Sequence, residues 1–296
     1  MKHQIQIPKI RTYNKDKRKS IEKLYESFFN LNEKFWTMDI ICNQKIIIRN
    51  KQIDFPILGF KTKKQGKSLW LLAGIHGEEP AGPNAISENI IFLNKLAEKI
   101  PIVLIPLCNP GGYFRNWRYL DLKRASKKKK AKSIGDSEYL LIDLKNPDKP
   151  RTEKPSSDES LALTSYVLKI SKYHHPLLEL DFHEDDSRGK LYIYSQGKLG
   201  AEDPVAKEIV SVLKNSGFKF YERGNTRFNQ PIINGIVSNI KDNSIDELIY
   251  SKEIIVNNRK VKGPSAKSIV VIETTVPNIP LKKRIKAHSK ILKQSE

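Results

Sequence analysis

Residues able to do chemistry fall in three short segments, each at the end of an apolar run. The first reads Gly74-Ile75-His76-Gly77-Glu78-Glu79-Pro80. His76 and Glu79 are three apart, and at a strand-to-helix turn that spacing lets an imidazole nitrogen and a carboxylate oxygen meet one cation at roughly 2.0 to 2.2 Å. Gly74 and Gly77 leave room for a sharp turn. The second reads Leu180-Asp181-Phe182-His183-Glu184-Asp185-Asp186. His183 offers a second imidazole, and Asp181, two residues earlier on the same side of a strand, can orient it. The third, Ile269-Val270-Val271-Ile272-Glu273-Thr274-Thr275, ends an apolar strand in an acid. Burial raises the pKa of such a carboxyl, which suits a general base acting on water at a metal. Each segment alone has a plainer reading: a His satisfied by local carboxylates, or a Glu paired with one of many lysines.

The elements that must position these residues follow from periodicity. Apolar positions at helix spacing predict a helix over 20–35 with Ser20 as its N-cap. Short β-branched runs at 45–49, 53–60 and 68–75 predict strands, the last apolar on both faces and so central. A helix over 80–96 follows, with Pro80 in its first turn, then a strand over 101–107 closed by the turn Asn109-Pro110-Gly111-Gly112. Residues 113–157 read as a long, polar, Lys-rich loop, of the length that usually carries function. Helices are expected at 158–172, 203–214, 244–251 and 281–292, and strands at 176–183, 190–195 and 268–273. Helices and strands alternate, so the fold expected is α/β: a mixed, mostly parallel central sheet with helices on both faces. Residues 1–67 would lead into the same domain, with 68–296 as the catalytic part.

Composition narrows the chemistry. With 296 residues the chain can bury a core large enough to hold a rigid concave site. Cys42 and Cys108 are the two cysteines, too few for a disulfide framework or a Cys-rich zinc module, so a metal must be held by His and carboxylate. Apolar runs are far shorter than a membrane span, and no secretory signal is visible among the first thirty residues, so a cytoplasmic protein is the expectation. The formal charge of +20 invites a polyanion partner. Seven of the ten residues 123–132 are Lys or Arg, and a second basic stretch spans 282–293. Nucleic-acid modules with sequence signatures are absent, and a solvated basic surface is the simpler reading. A basic polyanion-binding protein without activity is the rival from another class.

Together the three segments resemble the zinc carboxypeptidase family, including its branch of succinylglutamate desuccinylase and aspartoacylase type amidohydrolases. The resemblance covers 68–277 and is most specific at Ala73-Gly74-Ile75-His76-Gly77-Glu78-Glu79-Pro80; the turn beginning at Asn109 also fits. It implies that His76, Glu79 and His183 bind one Zn2+ with a position open for water. It implies Glu273 as the proton acceptor and an arginine, Arg118 before Arg115, as the group that stabilises the oxyanion. The implied activity is hydrolysis of a peptide-like amide bond, or deacylation of an N-acyl amino acid. Asn109, Glu138 and Arg227 are the expected substrate contacts. One departure affects substrate choice. The family's peptidases carry an Asn-Arg pair after the long loop that clasps a terminal carboxylate. The corresponding stretch here, Ser133-Ile134-Gly135-Asp136-Ser137-Glu138-Tyr139, has acid where the arginine would be. That acid would favour an amino or other polar group, and Arg227 could replace the clamp.

Overall fold

Apolar runs too long to be satisfied on one face demand cover on both, and the structure supplies it. The computed structural model describes residues 5, 10–48, 50–120, 135–185, 189–275 and 278–294. The basic run 123–132 and Asp186 lie outside the described residues. The central strands β3 (Gly66–Ala73), β4 (Ile102–Ile105), β5 (His174–Asp185) and β12 (Ser268–Thr275) are mutually parallel, in the order β4-β3-β5-β12. On one side the antiparallel pair β1 (Trp36–Ile48) and β2 (Lys51–Thr62) extends the sheet from β4. On the other, β6 (Ile193–Gly197) joins β12 antiparallel, followed by β9 (Ile236–Ser238), β8 (Pro231–Ile233) and β7 (Arg223–Asn225). Strands β1 and β2 come from the first 67 residues and belong to this one ten-stranded sheet. A separate hairpin, β10 (Glu253–Val256) and β11 (Arg259–Lys262), turns at Asn257 and Asn258, both with positive φ.

Strand alternation divides the core into two layers. Leu69, Leu71 and Ala73 of β3, Leu180 and Phe182 of β5, and Val270 and Ile272 of β12 face one cluster. That layer is closed by α1 (Ile21–Phe28), α2 (Ala81–Glu88), α3 (Ile90–Lys99), α6 (Pro204–Asn215) and α8 (Leu281–Lys293). Trp70, Leu72, Ile269 and Val271 face the other cluster, under α5 (Asp158–Ile170) and α7 (Ile245–Tyr250). By the same alternation Asp181, His183 and Glu273 lie on the α5/α7 side, and Glu184 and Thr274 on the α2/α8 side.

Several elements depart from the sequence expectation. The first helix stops at Phe28 instead of 35, because Asn30 and Asn32 turn the chain and β1 begins at Trp36. The helix expected over 80–96 is two helices, broken at Asn89 (φ −118°, ψ 24°), whose Nδ2 donates to Ala85 O at 2.7 Å and to Ser289 Oγ at 2.9 Å. The expected turn at Asn109-Pro110-Gly111-Gly112 is instead the start of a short helix, α4 (Pro110–Arg115), which runs into the first residues of the expected long loop. The C-terminal helix is not a uniformly solvated basic face: Lys282, Lys286, Lys290 and Lys293 are exposed, but Arg284 and His288 are buried. No helix among the described residues is long and apolar enough to cross a membrane.

Candidate metal centre

Three parallel strands bring their carboxyl ends to one place, which is where open α/β sheets build sites. In β12 and β5, Glu273 pairs in register with His183, and in β3 the register places Ala73 beside Phe182. Beyond Ala73 the chain turns at Gly74, whose φ of +67° few side chains tolerate, and passes through His76 and Glu79 into α2. Gly77 is required for a different reason. A Cβ there would lie 2.0 Å from Gly112 C and 2.3 Å from Tyr113 N, so the ligand turn packs directly on the backbone of α4.

The predicted metal ligands converge. Ligand atoms of His76, Glu79 and His183 lie within 4.8 Å of one another. His76 Nδ1 is 2.8 Å from Glu79 Oε1, and His183 Nδ1 is 3.0 Å from Glu79 Oε2. The two rings sit edge to face with centroids 4.9 Å apart. His183 Nε2 is 2.8 Å from Asp181 Oδ2, so the expected orienting carboxylate is in place. Burial pushes the His76 pKa down to about 4, against the attraction of Glu79, which leaves this imidazole neutral and able to ligate. For His183 burial also acts downward, but the Asp181 and Glu79 carboxylates outweigh it and hold the ring well above its usual value. Burial raises Glu79, yet His76 and His183 together hold it well below the ordinary carboxylate range.

Glu273 borders the same cavity, with one carboxylate oxygen buried and unpartnered. Burial pushes its pKa well up; His183 opposes, Glu79 and Asp185 add to the rise, and Arg118 opposes. Arg118 lies over the ligands, its Nη1 donating to Glu79 Oε1 at 2.8 Å and Glu78 Oε1 at 3.2 Å. Arg115 points elsewhere: its Nη2 donates to Ile47 O at 3.0 Å on β1, which removes it from the cavity wall.

The expected substrate contacts separate in space. Asn109 is fully buried, and its amide is consumed internally: Oδ1 accepts from Gly112 N and Gln44 Nε2, while Nδ2 donates to Ile75 O and Arg118 O. It therefore fixes the Arg118 loop to the ligand strand and has no atom left for a substrate. Glu138 is turned to Asn243, whose Nδ2 donates to it at 2.8 Å, and it does not reach the cavity; Asp136 from the same stretch does. Arg227 lines the cavity.

Sequence reasoning missed the residues behind these. Arg18, with a side chain wholly removed from solvent, donates to Gly77 O at 2.8 Å and Tyr113 O at 2.9 Å, and is sandwiched between the Tyr13 and Tyr113 rings. It anchors the ligand turn from the N-terminal arm, and nothing in its local spacing marks it. Glu184 N donates to Glu79 Oε2 at 3.1 Å; the Glu184 carboxylate accepts from Ala81 N and pairs with Arg284 of α8. Asp246, on α7, joins Asp181 and His183 in a second group of ligand-type atoms within 4.8 Å. The cavity measures about 910 Å³, and among the described residues it is bordered by ten acidic side chains against four Lys or Arg side chains.

No family model matches the chain. Curated relatives named "Probable carboxypeptidase 2" (Trichophyton verrucosum) and "Carboxypeptidase 2" (Trichophyton rubrum) are each 39% identical over 59 residues, 18% of this chain and 11% of theirs. Solved structures match far more of it. A protein from Shewanella amazonensis described as a metallopeptidase superposes with a TM-score of 0.67 at 20% identity, over 92% of this chain and 90% of that one. Bovine thrombin-activatable fibrinolysis inhibitor, solved in complex with tick carboxypeptidase inhibitor, gives 0.59 at 15% identity over 94% and 96%. The chain shares the α/β fold of these metallopeptidase and carboxypeptidase-type structures, a mixed, mostly parallel sheet with helices on both faces, as the motifs implied.

Proposed function

We propose that the chain is a zinc-dependent hydrolase of peptide-like amide bonds, working as metallocarboxypeptidases do. The observation that carries this is the meeting of two imidazole Nδ1 atoms, one carboxylate and an unpartnered buried Glu273 oxygen at adjoining strand ends. The donor set fits the ion: two imidazoles and a carboxylate suit zinc, with the cavity side left for water and substrate. Both Nδ1 atoms face Glu79 and not the surrounding fold, and Asp181 holds the far nitrogen of His183. A zinc ion held by His76, Glu79 and His183 supplies a Lewis acid that acidifies water and polarises a carbonyl.

The chain's own groups do the rest. Glu273 accepts the proton of the attacking water and returns it to the departing nitrogen, and burial makes it a stronger base than an exposed glutamate. Arg118 places a fixed guanidinium beside the ligands, where negative charge develops on the carbonyl oxygen. The carboxylate-rich lining supports a substrate carrying an ammonium group near the hydrolysed bond, and Arg227 is among the cations that also line the cavity. The cavity size supports a peptide over a single N-acyl amino acid. Incubating zinc-loaded protein with a mixed peptide set and with N-acyl amino acids tests this reading. Peptide hydrolysis abolished by chelation and restored by zinc is expected; hydrolysis of N-acyl amino acids alone would transfer the chain to the deacylases, and no hydrolysis of either would remove the proposal.

A further inference from the structure

The hairpin formed by β7 and β8 ends in a five-residue turn, 226–230, at the mouth of the cavity. Its shape is fixed by its own polar groups. Thr226, buried, accepts at Oγ1 from Phe228 N (3.1 Å) and Gln230 N (3.3 Å) and donates to Gln230 Oε1 (2.9 Å). Its backbone N–H bonds to Gln230 O and its carbonyl accepts from Asn229 N, both at 2.9 Å. Asn225 Nδ2 donates to Asn229 Oδ1 at 2.9 Å, and Asn229 adopts φ +61°. The turn therefore does not rely on Phe228 for its structure. That ring belongs to none of the hydrophobic clusters and is 63% exposed, with the Arg227 guanidinium 5.0 Å from its centroid. It borders the cavity that also contains Tyr194, Ile240 and Glu273.

We propose that Phe228 is a substrate subsite: a rigidly presented aromatic platform that takes an apolar or aromatic side chain of a peptide at the cavity mouth. An aromatic ring with few rotatable bonds on an already ordered turn loses little entropy on contact, and it recovers area that water now covers. The inference rests on the peptide-hydrolase reading and extends it.

The test uses the full chain, zinc-loaded, and a series of alanine peptides in which one phenylalanine is walked outward from the hydrolysed bond. One position should raise kcat/KM about tenfold over its alanine counterpart, the scale of an aromatic contact with its buried area. Phe228→Ala should bring that ratio to about one, while Phe228→Tyr, and Ile233→Ala on the same hairpin away from the cavity, should preserve it. Binding of the same peptides to the Glu273→Gln protein by calorimetry reads the subsite without turnover. A binding preference lost in the Phe228→Ala, Glu273→Gln double variant supports the subsite even if no peptide is hydrolysed. A preference at no position, or one that survives Phe228→Ala, overturns it even if peptides are hydrolysed.

Discussion

His183 stands between Glu79 and Asp181, and its charge state couples the metal to pH. With its pKa held above the ordinary value by the Asp181 and Glu79 carboxylates, the ring holds its proton more tightly than a free imidazole and must lose that proton to ligate. Zinc affinity should therefore climb with pH, by up to about tenfold per unit for one displaced proton, until the raised pKa is passed. Asp181→Asn removes one source of the rise and should move the climb to lower pH. Competition with a chelator across a pH series checks both statements, and an affinity independent of pH would contradict them. Glu273→Gln keeps the shape of the site but cannot accept a proton. That variant should retain its zinc and lose at least about a hundredfold in kcat, the scale of a general base; an unchanged rate would remove Glu273 from the mechanism. That His76, Glu79, His183 and Glu273 would meet in space was legible because each stands at the end of an apolar run. Asn109 and Glu138 were misread because a polar residue beside a site looks the same in sequence whether it faces the cavity or braces the wall.

The elements that carry these side chains depend on contacts between parts of the chain far apart in sequence. Gly77 allows the ligand turn to rest on the backbone of α4, and Gly77→Ala would force the two apart. The substitution should lower zinc affinity along with stability, measured by chelator competition and urea unfolding. Unaltered affinity would show that the close approach is not needed. At the other end of the chain, α8 contributes His288, fully buried against Thr274 Oγ1 (3.1 Å) and the Phe182 ring, its pKa pushed down to about 3 by burial and by Arg284. The unfolded chain protonates this histidine near its ordinary 6.5 while the folded one does not, so stability falls as pH drops from there toward 3. His288→Gln, which cannot charge, should lose less stability than the parent between neutral and mildly acidic pH, as followed by thermal unfolding. The strands of the central sheet were legible from their two-sided apolar runs. The three-residue strands β7, β8 and β9 were not, since their register comes from neighbours and not from an alternating pattern of their own. The break at Asn89 was equally hidden: its cause includes a hydrogen bond to Ser289, two hundred residues away.

Across the whole molecule, charge is divided between surface and cavity. The chain carries +20, yet ten acidic side chains among the described residues border the cavity. Net charge governs solubility and nonspecific attraction, whereas the substrate meets the local field. A peptide bearing an ammonium side chain should show a lower KM than its neutral isostere, by about three- to tenfold at low salt, with the difference shrinking as ionic strength rises. Equal KM values would mean that the lining carboxylates are neutralised from within, by Arg284 and Arg118. The fold class was legible at this scale because alternation of strand and helix constrains topology strongly. The sign of the cavity was not, because it is assembled from Glu78, Asp136, Asp181 and Asp246 on four different segments. The central claim is that His76, Glu79 and His183 hold one catalytic zinc. Metal analysis of purified protein after zinc loading and removal of excess tests it most directly: one zinc per chain, lost in His183→Ala but kept in Glu273→Gln, is predicted, and a zinc content that stays negligible, or is the same in His183→Ala, would contradict it.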